Sequence, residues 1–309
     1  MDFRRVEVSD RSWIVRLLRE DPQGISDASF CYQLAYAGAA NTLSCVAEAA
    51  GCLVFRWGRE NEYRYSCPIG GGDKRNAFAA IAEHCRVHGE PFVLSEVPSG
   101  TDALLARFLP GDYRFEPERD EFDYVYDCAS LAALAGSRYQ NRRQMIHRFE
   151  EQGPWSYEDV RPSDIADCRM IAAAWADCRM TGAKAGDPCI QDDISATERM
   201  LEHYAELGVF GGILRQCGRP VAFAVGEELD PETVLITFER AVPGVKGASA
   251  MLNREFVRRH CAGHAFLNRA CDAGDPGLRQ VKMKYCPCRL IEKFLVTGVP
   301  GGSCQSCEA

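Results

Sequence analysis

The sequence has no apolar run that approaches the ~20 residues needed to span a membrane. Residues 1–7 are charged and lack the apolar centre of a signal peptide, so we expect a cytoplasmic protein. Basic side chains are outnumbered, 36 against 44 acidic ones, and the formal net charge of −8 argues against a protein that coats nucleic acid non-specifically. A hydrophobic fraction of 46% excludes a disordered or collagen-like chain. We therefore expect an ordinary soluble globular protein. The net charge does not exclude a local basic site.

Histidine is also scarce, with six residues in the chain. His147, His203, His260 and His264 show neither the spacing of a metal site nor that of a catalytic triad. The cysteines form no nucleophile–base motif either. The sequence therefore favours chemistry that needs no cofactor and no covalent enzyme intermediate.

Cysteine, in contrast, is abundant, with 16 residues. Most of them lie in apolar or helical stretches, where reduced thiols pack as small hydrophobic side chains. The last four form two close pairs, Cys286-x-Cys288 and Cys304-x2-Cys307, and four thiolates in two pairs can hold zinc in a tetrahedral site. We favour no metal, because the first pair is predicted within the fold whereas the second lies in a frayed tail.

The length of 309 residues corresponds to about two domains of ~150 residues each. Three antiparallel strands, a glycine turn, a helix, a strand, a helix and a strand are predicted twice, with 122–126 closing the first half and 291–296 the second. The halves share this order of elements but almost no residues. We therefore predict an α+β fold with an N-terminal domain (1–130), a C-terminal domain that carries the active site (131–300) and a flexible tail (301–309).

A glycine-bearing turn, Pro243-Gly244-Val245-Lys246-Gly247, opens the helix of the second half. Free backbone N–H groups and the helix dipole favour an anion at such a helix start. Gly247 would let a phosphate approach the backbone closely, and Lys246 would add a point charge. In the acetyltransferase-type (GNAT) fold the phosphate chain of the acyl donor binds at this turn, although a turn without a ligand explains the residues equally well.

A basic helix is predicted at 137–149, and its arginines occur without an intervening acidic residue. Arg138 and Arg142 are four residues apart and share one stripe of the helix, next to that of Arg143. Arginine binds phosphate through two parallel hydrogen bonds, which suits a nucleic-acid end or a lipid headgroup. Salt bridges to the acidic run at 112–127 are the alternative.

Two glutamates are candidates for a catalytic base. Glu239 ends a predicted strand and Glu227 lies on the neighbouring one, and a partly buried glutamate can accept a proton from an attacking amine. Solvation at a sheet edge is the alternative for either. Asn268-Arg269 ends a strand near the same predicted cleft, and Lys282 follows shortly after. We assign these three residues, with the glycine turn and the basic helix, to binding of the donor.

Several segments, densest between 137 and 294, resemble one known family. The matching segments include Arg138-Tyr139-Gln140-Asn141-Arg142-Arg143, Gly211-Gly212-Ile213-Leu214-Arg215, Phe238-Glu239-Arg240-Ala241, Lys246-Gly247, Asn268-Arg269 and Leu290-Ile291-Glu292-Lys293-Phe294. Together they resemble the C-terminal domain of phosphatidylglycerol lysyltransferases, a domain shared by cytosolic bacterial proteins of about this length. The likeness covers nearly the whole chain.

The resemblance implies a tandem GNAT fold, with mixed, mostly antiparallel sheets flanked by helices. It also implies an aminoacyl-tRNA donor, whose acceptor end would contact the basic helix, and a lipid headgroup or small molecule as the acceptor. An acyl-CoA donor is the alternative among enzymes. A catalytically inactive binding module is the alternative of another class, because Ala270-Cys271 stand where the family carries acidic residues. The oligomeric state is not indicated.

Overall fold

Two seven-stranded sheets, both mixed but mostly antiparallel, organise the protein and are flanked by helices. The structure is a computed structural model that describes residues 1–41, 43–59, 62–181 and 187–300. Each half contains antiparallel strands followed by a helix and a strand parallel to the last of them. This arrangement confirms the predicted α+β fold of two GNAT-like units.

Each sheet takes its strands from both parts of the chain. The first sheet contains β1 (Arg4–Arg5), β2 (Cys45–Ala49), β3 (Cys52–Trp57), β4 (Arg64–Tyr65), β5 (Val93–Pro98), β6 (Gly111–Pro117) and β14 (Lys293–Pro300). The second sheet contains β7 (Asp123–Asp127), β8 (Trp155–Asp159), β9 (Phe210–Gln216), β10 (Arg219–Asp230), β11 (Thr233–Ala241), β12 (Phe266–Asn268) and β13 (Arg289–Ile291).

Helices connect the strands and cover the sheets. They are α1 (Arg11–Glu20), α2 (Phe30–Tyr36), α3 (Lys74–His88), α4 (Thr101–Phe108), α5 (Cys128–Ala133), α6 (Gln140–Glu150), α7 (Ile165–Thr181), α8 (Pro188–Glu202), α9 (Tyr204–Leu207), α10 (Ala248–His260) and α11 (Pro276–Met283). In the part of the chain that the structure describes, none of them is long and apolar enough to cross a membrane.

Sequence signals mark where individual helices begin and end. Asp73 caps α3, because its side chain accepts a hydrogen bond from the N–H of Asn76 (3.1 Å), and Gly89 ends the helix in the left-handed conformation. Asp275 caps α11 directly before Pro276, whose missing N–H costs nothing at a first helical position. Local chemistry therefore fixes these boundaries.

The two halves exchange one strand each. β14 lies between β5 and β6 of the first sheet, whereas β7 lies between β12 and β13 of the second. The assignment of 122–126 to the first half is therefore wrong at the level of the sheets. The predicted strand 291–296 is divided, because Ile291 ends β13 in the second sheet whereas 293–296 belong to β14 in the first. Side-chain alternation defines the two faces of a strand but not the sheet that it joins. The division of the chain at 130 stays a prediction.

The parallel neighbours β11 and β12 are paired over only a short stretch, because β12 ends at Asn268. Their register runs from Thr233 opposite Phe266 to Leu235 opposite Asn268. β11 continues to Ala241 and stays paired with β10 over this length. Among the described strands, the backbone of β11 beyond Leu235 therefore has no partner on its β12 side. We call the region beside this unpaired part of β11 and the end of β12 the β11–β12 opening.

One apolar core is shared by the two halves. It contains Phe30 and Phe55 from the first half and Phe223 and Phe238 from the second, all at most 2% exposed. Burial of a side chain of this size contributes roughly 1.5–3 kcal/mol. Each half therefore depends on the other for part of its hydrophobic stabilisation.

Candidate functional site

An ion pair occupies the β11–β12 opening. Glu239 lies on β11 beyond the last residue paired with β12, and Arg269 follows directly after β12. Arg269 Nη2 donates to Glu239 Oε2 across 2.7 Å, and the two side chains are 9% and 17% exposed. The structure thus brings together a candidate base and a candidate donor-binding residue from separate segments.

Two tyrosines form an aromatic wall beside this pair. The Arg269 guanidinium carbon lies 4.8 Å from the ring centroid of Tyr285 and 5.7 Å from that of Tyr126. The guanidinium of Arg142 approaches the same Tyr285 ring to 4.1 Å. The basic helix α6 therefore reaches the β11–β12 opening through Arg142. Neither tyrosine was given a role in the site from the sequence, because an aromatic residue near a strand or helix is equally typical of a core.

Lys282 and Asn268 fix the loop that follows β12. Lys282 Nζ donates to the carbonyl oxygens of Arg269 (2.6 Å), Ala270 (3.1 Å) and Cys271. Asn268 Oδ1 accepts from the N–H of Ala270 (2.8 Å), where the backbone has a left-handed φ of +53°. Burial lowers the pKa of Lys282 to about 8. These contacts hold the backbone at and after Arg269 in place. Binding of the donor by Asn268 and Lys282 stays a prediction.

The other predicted arginines of the basic helix are engaged in local structure. Arg143 donates to the carbonyl oxygens of Leu134 and Gly136. Arg138 lies 3.4 Å from Ser130 Oγ. These contacts tie the start of α6 to α5 and the segment after it. The structure therefore does not gather the three arginines at one site.

Glu227 lies away from Glu239 on the neighbouring strand. Glu239 is paired with Ala224, three residues from Glu227, which is a separation of about 10 Å along the strand. Glu227 accepts a hydrogen bond from Ser29 Oγ, at the residue that caps α2, and burial raises the pKa of the Glu227 carboxyl. Glu227 thus joins the two halves. Glu239 is the candidate base that faces Arg269.

The glycine turn ahead of α10 is packed against the basic helix. Gly247 has a φ of +81°, and a Cβ added there would lie 2.1 Å from the carbonyl oxygen of Met145. Gln152 Nε2 donates to the carbonyl oxygen of Lys246 across 2.9 Å, while the Lys246 residue is exposed. Close packing against α6 therefore explains why residue 247 is a glycine. Binding of donor phosphate at Lys246 and Gly247 stays a prediction.

Gly247→Ala is expected to destabilise the protein by more than the roughly 1–3 kcal/mol that backbone strain costs, because the new methyl group would also collide with Met145. The matched control is Gly244→Ala. Gly244 has a similar φ of +85°, but a Cβ added there meets nothing within 4 Å. Thermal unfolding of the two variants measures the difference. Equal losses of stability would show that packing against α6 plays no part.

Charged groups that the sequence did not single out are buried between the halves. Lys293 is fully buried and contacts Asp27, Asp123 (2.9 Å) and Glu96 (3.7 Å). Asp123 also accepts a hydrogen bond from Asn268 Nδ2 (2.9 Å). Burial raises the pKa of Asp27 and of Glu96. The sequence signal that could have identified this buried cluster was a lysine within an otherwise apolar predicted strand.

The predicted cysteine set is only partly described. Cys288 is exposed, with its Sγ 3.3 Å from the Val125 carbonyl oxygen, and Cys286 is partly buried against the core of the second sheet. Cys304 and Cys307 lie outside the described residues, as does the whole predicted tail. Within the described ranges, no group of three His, Cys, Asp or Glu side chains is placed to hold a metal ion.

Solved structures with a similar fold include members of the resembled family. A conserved protein of unknown function from Bacteroides thetaiotaomicron VPI-5482 superposes with a TM-score of 0.86 at 27% identity, covering 96% of this chain and 99% of that one. The C-terminal domain (DUF2156) of a proposed lysylphosphatidylglycerol synthetase from Agrobacterium fabrum gives 0.68 at 16% identity, with 96% and 91% covered. L-PGS from Bacillus licheniformis gives 0.64 at 13% identity, with 94% and 92% covered. The last two establish similarity of fold.

Sequence comparison gives the family directly. No curated protein matches the chain. The family described as "Phosphatidylglycerol lysyltransferase, C-terminal" matches residues 19–297, which include the β11–β12 opening and all but the ends of the chain. This match confirms the resemblance drawn from the sequence segments. The chain therefore belongs to the phosphatidylglycerol lysyltransferase C-terminal family.

Proposed function

We propose that the protein is an aminoacyltransferase that moves an aminoacyl group from aminoacyl-tRNA to a lipid or small-molecule acceptor. The observation that carries this proposal is the Glu239–Arg269 pair in the β11–β12 opening of a chain from the lysyltransferase family. Direct attack requires no cofactor. We place the reaction in the cytoplasm, where charged tRNA is produced.

The proposed reaction replaces the ester oxygen of the donor with the nucleophile of the acceptor. A hydroxyl or amine attacks the aminoacyl carbonyl carbon, the new bond forms, and the bond to the terminal ribose oxygen of the tRNA breaks. Glu239 accepts the proton that the nucleophile loses and returns it to the leaving ribose oxygen. Arg269 orients the Glu239 carboxylate through the 2.7 Å contact.

The free edge of β11 supplies the second element of this mechanism. Beyond Leu235 its backbone has no partner on the β12 side among the described strands, so N–H groups are available close to Glu239. Fixed backbone donors stabilise the carbonyl oxygen as it becomes negative, and a single donor of this kind typically contributes about 3 kcal/mol. The opening therefore offers a base and oxyanion donors at one place.

Incubation with a panel of charged tRNAs and acyl-CoAs tests the donor, with release of free tRNA or CoA as the readout. We expect consumption of at least one aminoacyl-tRNA and binding that falls steeply with salt, because several phosphates are contacted. Consumption of acyl-CoA alone, with little dependence on salt, would identify an acyl-CoA N-acyltransferase instead. If neither donor is consumed with any acceptor, both enzyme functions are wrong and a binding module remains.

The acceptor is tested in the same assay. One arm contains vesicles with phosphatidylglycerol, because the family description names that lipid, and a second arm contains soluble amines. Label that moves from aminoacyl-tRNA into extractable lipid supports a lipid acceptor. Label in a soluble product supports a small molecule.

A further inference from the structure

Two buried arginines at the β11–β12 opening carry N–H groups that have no hydrogen-bond partner among the described residues. Arg142 is 6% exposed and its Nε is unpaired. The Arg269 side chain is 9% exposed and its Nη1 is unpaired. Folded proteins pair nearly all buried donors, because an unsatisfied donor loses its hydration without compensation. Both guanidinium groups contact the ring of Tyr285, and their unpaired N–H groups leave donors that a bound acceptor could satisfy.

Tyr285 contacts both guanidinium groups. They lie 4.1 Å (Arg142) and 4.8 Å (Arg269) from the centroid of its ring. Tyr285 is itself 3% exposed. Burial raises the pKa of its hydroxyl, and the charges of Arg269 and Arg142 act against that rise. We call Arg142, Arg269 and Tyr285 the arginine clamp.

The β11–β12 opening has a surplus of positive charge. Three largely buried cations, Arg142, Arg269 and Lys282, come together with one ion-paired carboxylate, that of Glu239, which contacts Arg269. Asp123 also acts on Lys282, but it is itself paired with Lys293 across 2.9 Å. Buried cations need counter-charge, because their hydration is lost on folding. The surplus therefore favours an anionic ligand.

We propose that the arginine clamp binds a phosphate ester of the substrate beside the reacting carbonyl. The inference rests on the proposed function, because in an aminoacyl ester the carboxyl group of the amino acid is consumed by the ester bond and cannot be the anion. Guanidinium forks match phosphate oxygens in pairs. Two sources present such a phosphate near a reacting hydroxyl: the terminal nucleotide of a tRNA and a glycerol phosphodiester headgroup.

Calorimetric titration of the full chain with adenosine 5′-monophosphate, glycerol 3-phosphate and inorganic phosphate tests the clamp. We expect one-site binding that Arg142→Gln weakens by about tenfold or more, and that Arg142→Lys weakens less because the charge is kept. The matched control is Arg148→Gln, an exposed arginine on the same helix, which should leave the affinity unchanged. Tighter binding of the nucleotide assigns the clamp to the tRNA end, and tighter binding of glycerol phosphate assigns it to a headgroup.

Two results would overturn the clamp: no saturable binding of any of the three phosphates, or equal weakening by Arg142→Gln and Arg148→Gln. Thermal unfolding also serves for a variant of reduced stability, because the Tm of each protein with phosphate is compared with its own Tm without phosphate. A rise in Arg142→Gln equal to that of the wild type would also count against the clamp. Transfer without phosphate binding contradicts the clamp alone, whereas phosphate binding without transfer contradicts only the proposed function.

Discussion

Glu239→Gln is expected to slow aminoacyl transfer by about 10²–10⁴-fold while the protein stays folded. The amide keeps the size of the side chain and still accepts a hydrogen bond from Arg269, but it cannot take the proton of the attacking nucleophile. Single-turnover transfer from aminoacyl-tRNA already bound to the enzyme measures the chemical step, because product release does not limit the rate of a single turnover.

Glu227→Gln is the matched control on the neighbouring strand. The Glu227 carboxyl is hydrogen-bonded to Ser29, and burial raises its pKa towards the neutral form that glutamine resembles. We expect transfer close to that of the wild type. Full activity in Glu239→Gln together with loss of activity in Glu227→Gln would reverse the assignment of the base.

Lys293→Met is expected to destabilise the protein by about 3–5 kcal/mol, the largest change in stability that we predict. Methionine has a similar volume, but it leaves the buried carboxylates of Asp27, Asp123 and Glu96 without their counter-charge. Lys293 begins β14, the strand that crosses into the first sheet. The lost stability therefore comes from the contact between the two halves. Urea unfolding followed by tryptophan fluorescence measures the free energy of unfolding.

The destabilisation by Lys293→Met should shrink as the pH falls. Burial raises the pKa of Asp27 and Glu96, so the folded state binds protons that the unfolded chain releases above about pH 4, and acid favours folding in that range. Without the lysine these carboxyls take up protons more readily, and the loss near pH 5 should be smaller than near pH 8. A loss that does not vary with pH would rule out unpaired carboxylates as its cause.

The control for this series is Arg16→Gln. Arg16 forms an ion pair with Glu20 on α1, at 2.7 Å, with the two side chains 62% and 38% exposed. Exposed pairs of this kind contribute little to stability. We therefore expect an unfolding free energy close to that of the wild type at both pH values. A loss comparable to that of Lys293→Met would mean that the assay reports charge removal in general.

Much of the order of elements was predictable from the sequence, because strand alternation and the glycine turn before α10 are local signals, although β6 and β8 were not predicted. The family was recognised from the resemblance of segments such as Asn268-Arg269. The strand exchange was not predictable in this way. β7 is almost fully buried and β14 is partly buried, and neither side-chain pattern specifies which sheet the strand joins. The choice depends on contacts between distant segments, such as the pair formed by Asp123 and Lys293.

The candidate site was predicted in part. Glu239 and Arg269 were both named from the sequence, and the structure places them in contact. Arg142 and Arg143 are adjacent in the chain, yet one lies against Tyr285 and the other binds the carbonyl oxygens of the preceding turn. Counting charges along a helix cannot separate these roles, because the side chain that selects Arg142 comes from the segment after α11.

The position of a bound donor analogue tests the assignment of the β11–β12 opening most directly. A crystal structure with an aminoacyl-adenosine 5′-phosphate in which an amide replaces the ester would show where the reacting carbonyl lies. We predict that this carbonyl lies between β11 and β12 beside Glu239, with the phosphate on Arg142 and Arg269. An analogue bound at Lys246 and Gly247 with its carbonyl outside the opening would contradict that assignment.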